Sequence, residues 1–167
     1  MRSEPLRILG IDPGSRIVGW GAIIWEGTRR ITLAEFGAIR VLPGLECGAR
    51  LSEIRARIKE IIERIAPDVV AIEKVFYGRN FQSALTIGEA RGVCVLAATE
   101  AGVPLFSYSA AEIKSAVTGN GRAHKSQVAA MVARILELPR PPTPADAGDA
   151  LACALCHSNR LAFPARR

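Results

Sequence analysis

The chain reads as an α/β domain built on a mixed five-stranded sheet with helices on both faces. Three observations predict it. Two nearly continuous apolar runs, LRILGID at 6–12 and DVVAIE at 68–73, each end in a single acidic residue, the pattern of strands covered on both sides. Between about Cys47 and Ala66, Leu51, Ile54, Ile58, Ile61 and Ile65 recur at helical spacing among Arg, Lys and Glu. The whole order, β-β-β-α-β-α-β-α-α-α, alternates in the manner of a layered α/β domain rather than a helical bundle.

Taken in order, the first run breaks at Pro13-Gly14, which reads as a central strand entering a turn. RIVGWGAIIWEG and ITLAEFGAIRVL follow, rich in β-branched and aromatic residues and joined around Gly27, so the first three strands form an antiparallel meander. The helix from Cys47 stops at Pro67, and DVVAIE is the fourth strand. The segment KVFYGRN is a loop before a helix from about Phe81 to Ala101; Gly102 and the short strand PLFSY at 104–108 come next. Residues 109–118 are helical, GNGRAH at 119–124 is a glycine-broken loop, and KSQVAAMVARILEL at 125–138 is another amphipathic helix. PRPPTP separates it from the last helix.

The 167 residues suit one domain, 1–167, with a real core. At 49% hydrophobic and 23% charged residues the chain is globular, not disordered. No apolar stretch approaches the roughly 20 residues of a membrane-spanning helix, so no membrane association is expected. The N-terminus carries charges where a signal peptide has its apolar centre, and a cytoplasmic location is expected. In that reducing compartment Cys47, Cys94, Cys153 and Cys156 are thiols, ligands or packing rather than disulfides. The net charge of +6 and pI near 9.6 suit a polyanionic partner such as nucleic acid, though many soluble domains are mildly basic.

Asp12 and Glu73 stand at the C-terminal ends of apolar strands, the sheet edge where ligands bind in such folds. A carboxylate against a core is costly unless paired or bound to a cation. Lys74 is a poor partner for Glu73, because neighbours on a strand point to opposite faces. Asp146 and Asp149, three apart, share one face of the last helix. They have a plainer explanation too: Thr143-Pro144-Ala145-Asp146 fits a capping box with proline at the first helical position, and acids answer the helix dipole. Together, four carboxylates from two strand ends and a helix start form an all-oxygen set suited to Mg²⁺ or Mn²⁺. Such ions generate a hydroxide nucleophile and stabilise an in-line phosphoryl displacement, so a basic protein with an acidic pocket suggests a nuclease.

The same last helix contains Cys153-Ala154-Leu155-Cys156-His157, the C-x-x-C-H spacing of covalent haem attachment. Haem would require export and an exposed edge, and zinc a second matching cysteine pair, which Cys47 and Cys94 do not form; neither cofactor is expected. The cysteines are read as packing residues on the stripe that carries the aspartates.

GIDPGSRIVGWG (10–21), AIEKVFYGRNFQSALTIGEARGV (71–93), IKSAVTGNGRAHKSQVAAMV (113–132) and DAGDALACALCH (146–157) together resemble the RuvC family of bacterial Holliday-junction resolvases over about residues 6–160. The resemblance implies a ribonuclease-H-like fold, a homodimer, and Mg²⁺-dependent paired nicking of a four-way DNA junction in recombination and repair, with Mn²⁺ as a substitute ion. It also implies the RuvA–RuvB branch-migration complex as a partner. By motif, Asp12, Glu73, Asp146 and Asp149 are the metal-binding catalytic set, Lys114 and Lys125 lie near the scissile backbone, and Phe76 stacks on unpaired bases.

Each transfer has a physical reading beside it. Phe76 and Tyr77 sit in a loop with Arg79 and Asn80, and stacking of a base on an aromatic ring tolerates any sequence; Phe76 could equally be a core residue past a strand. Gly119 and Gly121 can bring backbone N–H groups to a phosphate, with Arg122, His124 and Lys125 adding charge, or the loop is solvated surface. His124 replaces an acid common in relatives, and Gly148 replaces an alanine at about 1 kcal/mol of helix propensity. GIDPG also resembles the phosphate-binding turn of sugar kinases and actin-type ATPases, but those need a second lobe. A non-catalytic junction binder would not need the carboxylates. A ribonuclease-H-like nuclease with another substrate is the serious rival.

Overall fold

The computed structural model describes residues 4–27, 30–75 and 81–163. Five strands, β1 (Leu6–Asp12), β2 (Ile17–Trp25), β3 (Ile31–Arg40), β4 (Val69–Glu73) and β5 (Leu105–Tyr108), form one sheet in the order β3-β2-β1-β4-β5. The β1–β2 and β2–β3 pairs are antiparallel, while β4 and β5 join parallel, so the mixed sheet and the N-terminal meander are as the sequence predicts. Five helices complete the order: α1 (Cys47–Ile65), α2 (Phe81–Glu100), α3 (Ala110–Thr118), α4 (Lys125–Ile135) and α5 (Ala145–Ala162).

The two-residue period of the strands sorts the core into two layers. Leu9, Ile11, Val70 and Ile72 face α1 and α2; Ile8, Val69 and Ala71 face α3, α4 and α5. The same alternation sends Asp12 and Glu73, the last residues of β1 and β4, to the side of α5. Their registers match, since Ile11 pairs with Ile72 one step before.

Helix α5 is buried along most of its length, with Ala147, Gly148 and every residue from Ala150 to Ser158 inside. It can lie so close because the sheet beneath it is bare. A Cβ on Gly10 would stand 1.9 Å from the Ala150 carbonyl oxygen, and one on Gly19 2.0 Å from that of Asp146. Glycine here serves the close approach of two backbones, the use that interior strand glycines often mark.

Two ends differ from the sequence reading. Helix α4 stops at Ile135 rather than continuing to 138. The Leu138 N–H donates to Ala133 O and the Glu137 N–H to Arg134 O, a Schellman closure with Glu137 at φ 54° in the position glycine usually takes. Without a glycine, the stop leaves no mark in the sequence. The capping box at Thr143, the alternative explanation for the two aspartates, does not form: Pro144 is the N-cap, and no side chain caps α5. A helix starting one residue later places Asp146 in its first turn without a capping duty for Thr143. Among the described residues, no helix is long and apolar enough to cross a membrane.

Candidate active site

Asp12, Glu73, Asp149, Lys114 and Lys125 line one cleft of about 230 Å³, floored by Ile113, Val128 and Ala152. Five elements supply it, with α3 contributing Ile113 and Lys114. β1 and β4 end there because their apolar runs end there; α5 crosses their ends on the glycine bed; and Lys125 opens α4. Asp146 stands one turn earlier on α5, near enough to raise the Asp12 pKa although it does not line the cleft.

Burial, the Glu73 and Asp149 charges and, more weakly, Asp146 push Asp12 up to about 7, against the pull of Lys125. Glu73 is raised as well, by burial first and then by Asp149, while Lys125 and Lys114 pull it down. The Lys125 ammonium donates to Asp149 Oδ2 at 3.1 Å, and this bond holds its own pKa up. The side chain of Lys125 is 85% exposed, so it bridges the cleft to solvent rather than sealing it. The cleft therefore gathers three acids against their mutual repulsion, with Asp146 one turn away and two lysines in the lining.

An all-oxygen donor set fits a hard cation, and a divalent ion would offset the burial and the neighbouring negative charge that together raise Asp12. Among the described residues no three acidic, His or Cys side chains already form a chelating cluster, and the Lys125 ammonium stands on Asp149.

Other predicted residues lie differently. Lys74 is 4.0 Å from Glu112, away from Glu73, in keeping with strand alternation. Arg122 and His124 are exposed in the α3–α4 turn; the Arg122 N–H donates to Asn120 Oδ1 and the His124 N–H to Gln127 Oε1, and neither side chain lines the cleft. Gly119 cannot offer its N–H to a phosphate, because it caps α3 by donating to Ser115 O at 2.8 Å. Phe76, Tyr77, Arg79 and Asn80 lie outside the described residues. Cys153 and Cys156 are buried free thiols in the layer under α5, a packing role. Their neighbour His157 is buried too, with Nδ1 2.6 Å from the Tyr108 hydroxyl and its ring centroid 4.7 Å from that of Phe106. Burial pushes His157 down to about 4, so it is neutral at physiological pH.

Sequence reasoning missed the glycine bed, although GIDPG and VGWG carried its signal as glycines inside strands. It also missed Arg91, which nothing but an unexceptional helix position marked.

The family model for "Crossover junction endodeoxyribonuclease RuvC" matches residues 8–157. The chain belongs to the RuvC family. A RuvC from Pelotomaculum thermopropionicum is 46% identical over 93% of this chain and 94% of its own length. One from Shewanella loihica is 51% identical over 90% and 85%. The structure of Thermus thermophilus RuvC in complex with a Holliday junction substrate superposes with a TM-score of 0.88 at 36% identity, covering 94% of this chain and 95% of that one. The fold is thus that of the RuvC nucleases, ribonuclease-H-like in architecture, and membership makes the chain a nuclease, a hydrolase of phosphodiesters.

Proposed function

We propose that this RuvC-family chain is one nuclease domain, residues 1–167, that resolves four-way DNA junctions in the cytoplasm during recombination and repair. The observation that carries the reading is the convergence of Asp12, Glu73 and Asp149, with Asp146 behind them, on one cleft rimmed by Lys114 and Lys125.

Asp12, Glu73, Asp146 and Asp149 would hold Mg²⁺, or Mn²⁺ in its place. The bound ion supplies an activated water and charge stabilisation for phosphoryl displacement. The chain's own residues do the rest. Asp12, raised to about 7, must lose its proton before it can serve as a ligand. Lys125 and Lys114 attract the scissile phosphate to the rim and offset the charge that builds on it as the bond breaks. Arg122 and His124, beside the cleft, contact the backbone of a junction arm, with Phe76, Tyr77, Arg79 and Asn80 holding the crossover.

Paired symmetric nicks need two sites, and a homodimer supplies them. α2 presents Phe81, Leu85 and Leu96, 71%, 47% and 47% exposed, on one side with Gly88 and Gly92. Such an apolar face with glycines for close approach suits a second copy of the same helix. By resemblance, the RuvA–RuvB complex presents the junction.

The test is cleavage of a synthetic mobile four-way junction with Mg²⁺. Paired nicks that spare linear duplex are expected; equal cutting of linear duplex would indicate a ribonuclease-H-like nuclease with a different substrate.

A further inference from the structure

Resting on that reading of Glu73, we infer that Arg91 is a positioning residue for the reaction, fixing the backbone of Glu73 from the face of the sheet opposite its carboxylate. Half-buried Arg91 lies on the side of α2 that also carries the buried Ala84, Cys94 and Ala98. A guanidinium on such a side is costly unless its donors are used. They are: Nε donates to the Glu73 carbonyl oxygen at 3.0 Å, and an Nη to Ser107 Oγ at 2.7 Å.

The place of these bonds gives them meaning. The β1–β4 pairing ends at Ile11 and Ile72, so it is Arg91 that takes the carbonyl of the next residue, Glu73. On the other side the Lys74 N–H donates to Tyr108 O at 2.8 Å. One planar fork therefore ties the end of β4 to β5 and both to α2, while the Glu73 side chain stays free on the α5 side. A fork with fixed geometry holds two acceptors at once in a way that a lysine ammonium does not. Groups that orient a ligand residue without touching substrate typically change activity by about 10- to 100-fold. Arg91 also borders an open cavity of about 680 Å³ between α2 and β5, lined by Lys74, Phe81 and Leu85 among others.

The test compares Arg91→Ala, Arg91→Lys and Ser107→Ala with the wild-type chain in single-turnover cleavage at saturating junction with Mg²⁺, alongside junction affinity at several salt concentrations. For Arg91→Ala the expected result is a cleavage rate about 10- to 100-fold lower, with affinity and its salt slope unchanged. Arg91→Lys and Ser107→Ala should fall between. Wild-type rates in Arg91→Ala would overturn the inference. So would weaker binding with a smaller salt slope at an unchanged maximal rate, which would make Arg91 a phosphate contact. A loss of rate that follows thermal stability across the three variants would make it a packing residue, again against the inference. If Arg91→Ala does not fold, Arg91→Lys decides: a rate equal to wild type overturns the proposal. Failure of the wild-type chain to cut junctions would instead sink the functional reading itself.

Discussion

Single residues here carry opposite pH responses within one window. Asp12 is raised from 3.8 to about 7, so the folded state favours its protonated form. Its contribution to stability is complete below about pH 4 and is lost as pH rises through 7. Glu73, also raised, acts in the same direction. His157 is lowered from 6.5 to about 4, so the folded state favours its neutral form. Its contribution is complete above pH 6.5 and is lost as pH falls toward 4, by roughly 3 kcal/mol at most. In metal-free protein the Asp12 and His157 contributions therefore oppose each other between about pH 4 and 6.5, and Glu73 tilts the balance toward lower stability as pH rises. Urea denaturation should show His157→Gln gaining stability as pH falls and Asp12→Asn losing it; parallel profiles in the two variants would contradict both assignments. With junction and Mg²⁺, Asp12→Asn and Asp146→Asn should bind normally and cut at least about 10²-fold more slowly, read by gel shift and single-turnover cleavage. Normal cutting by either would remove that residue from the metal set.

Among the elements, α5 determines whether the site exists. It carries two carboxylates, has no side-chain cap, and is held at its start by contact with glycine backbone. Gly19→Ala would place a Cβ 2.0 Å from the Asp146 carbonyl oxygen and lift the first turn of α5 off the sheet. Overpacking of this kind costs about 1–3 kcal/mol or more, and cleavage should fall with stability because Asp146 moves with the turn. Gly148 is the contrasting case. A Cβ there meets only Pro142, at 3.6–3.8 Å, an ordinary contact, and the residue is helical. Gly148→Ala should therefore gain up to about 1 kcal/mol, raise the melting temperature by about 2–4 °C and keep full activity. Calorimetry on the two variants separates a glycine that is required from one that is tolerated.

For the whole molecule, charge and assembly are the testable properties. The chain carries a net charge of +6, which favours contact with the DNA backbone, so junction affinity should fall linearly with the logarithm of salt concentration. Leu85→Glu, on the exposed face of α2, should shift the chain to a monomer in sedimentation and convert paired nicks into single ones. A dimer that survives this change would place the interface elsewhere.

The pattern of residues was enough to specify the layers and the order of elements. Apolar runs ending in Asp12 and Glu73, and helical periodicity from Cys47, depend on local spacing, which a sequence displays directly. The carboxylates were legible as a set for the same reason: an acid at the end of a buried strand is out of place wherever the strand lies. Local spacing also admitted a cap at Thr143 that does not form and implied a helix running past Ile135, because a Schellman turn at Glu137 depends on tertiary packing of Leu136 and Leu138 rather than on a glycine. Only the folded chain could show that Gly10 and Gly19 clear a path for α5, that Lys125 reaches Asp149, and that Arg91 grips the far side of Glu73. These are contacts between residues 18 to 140 positions apart, and what each residue meets across that separation is decided by how the layers stack.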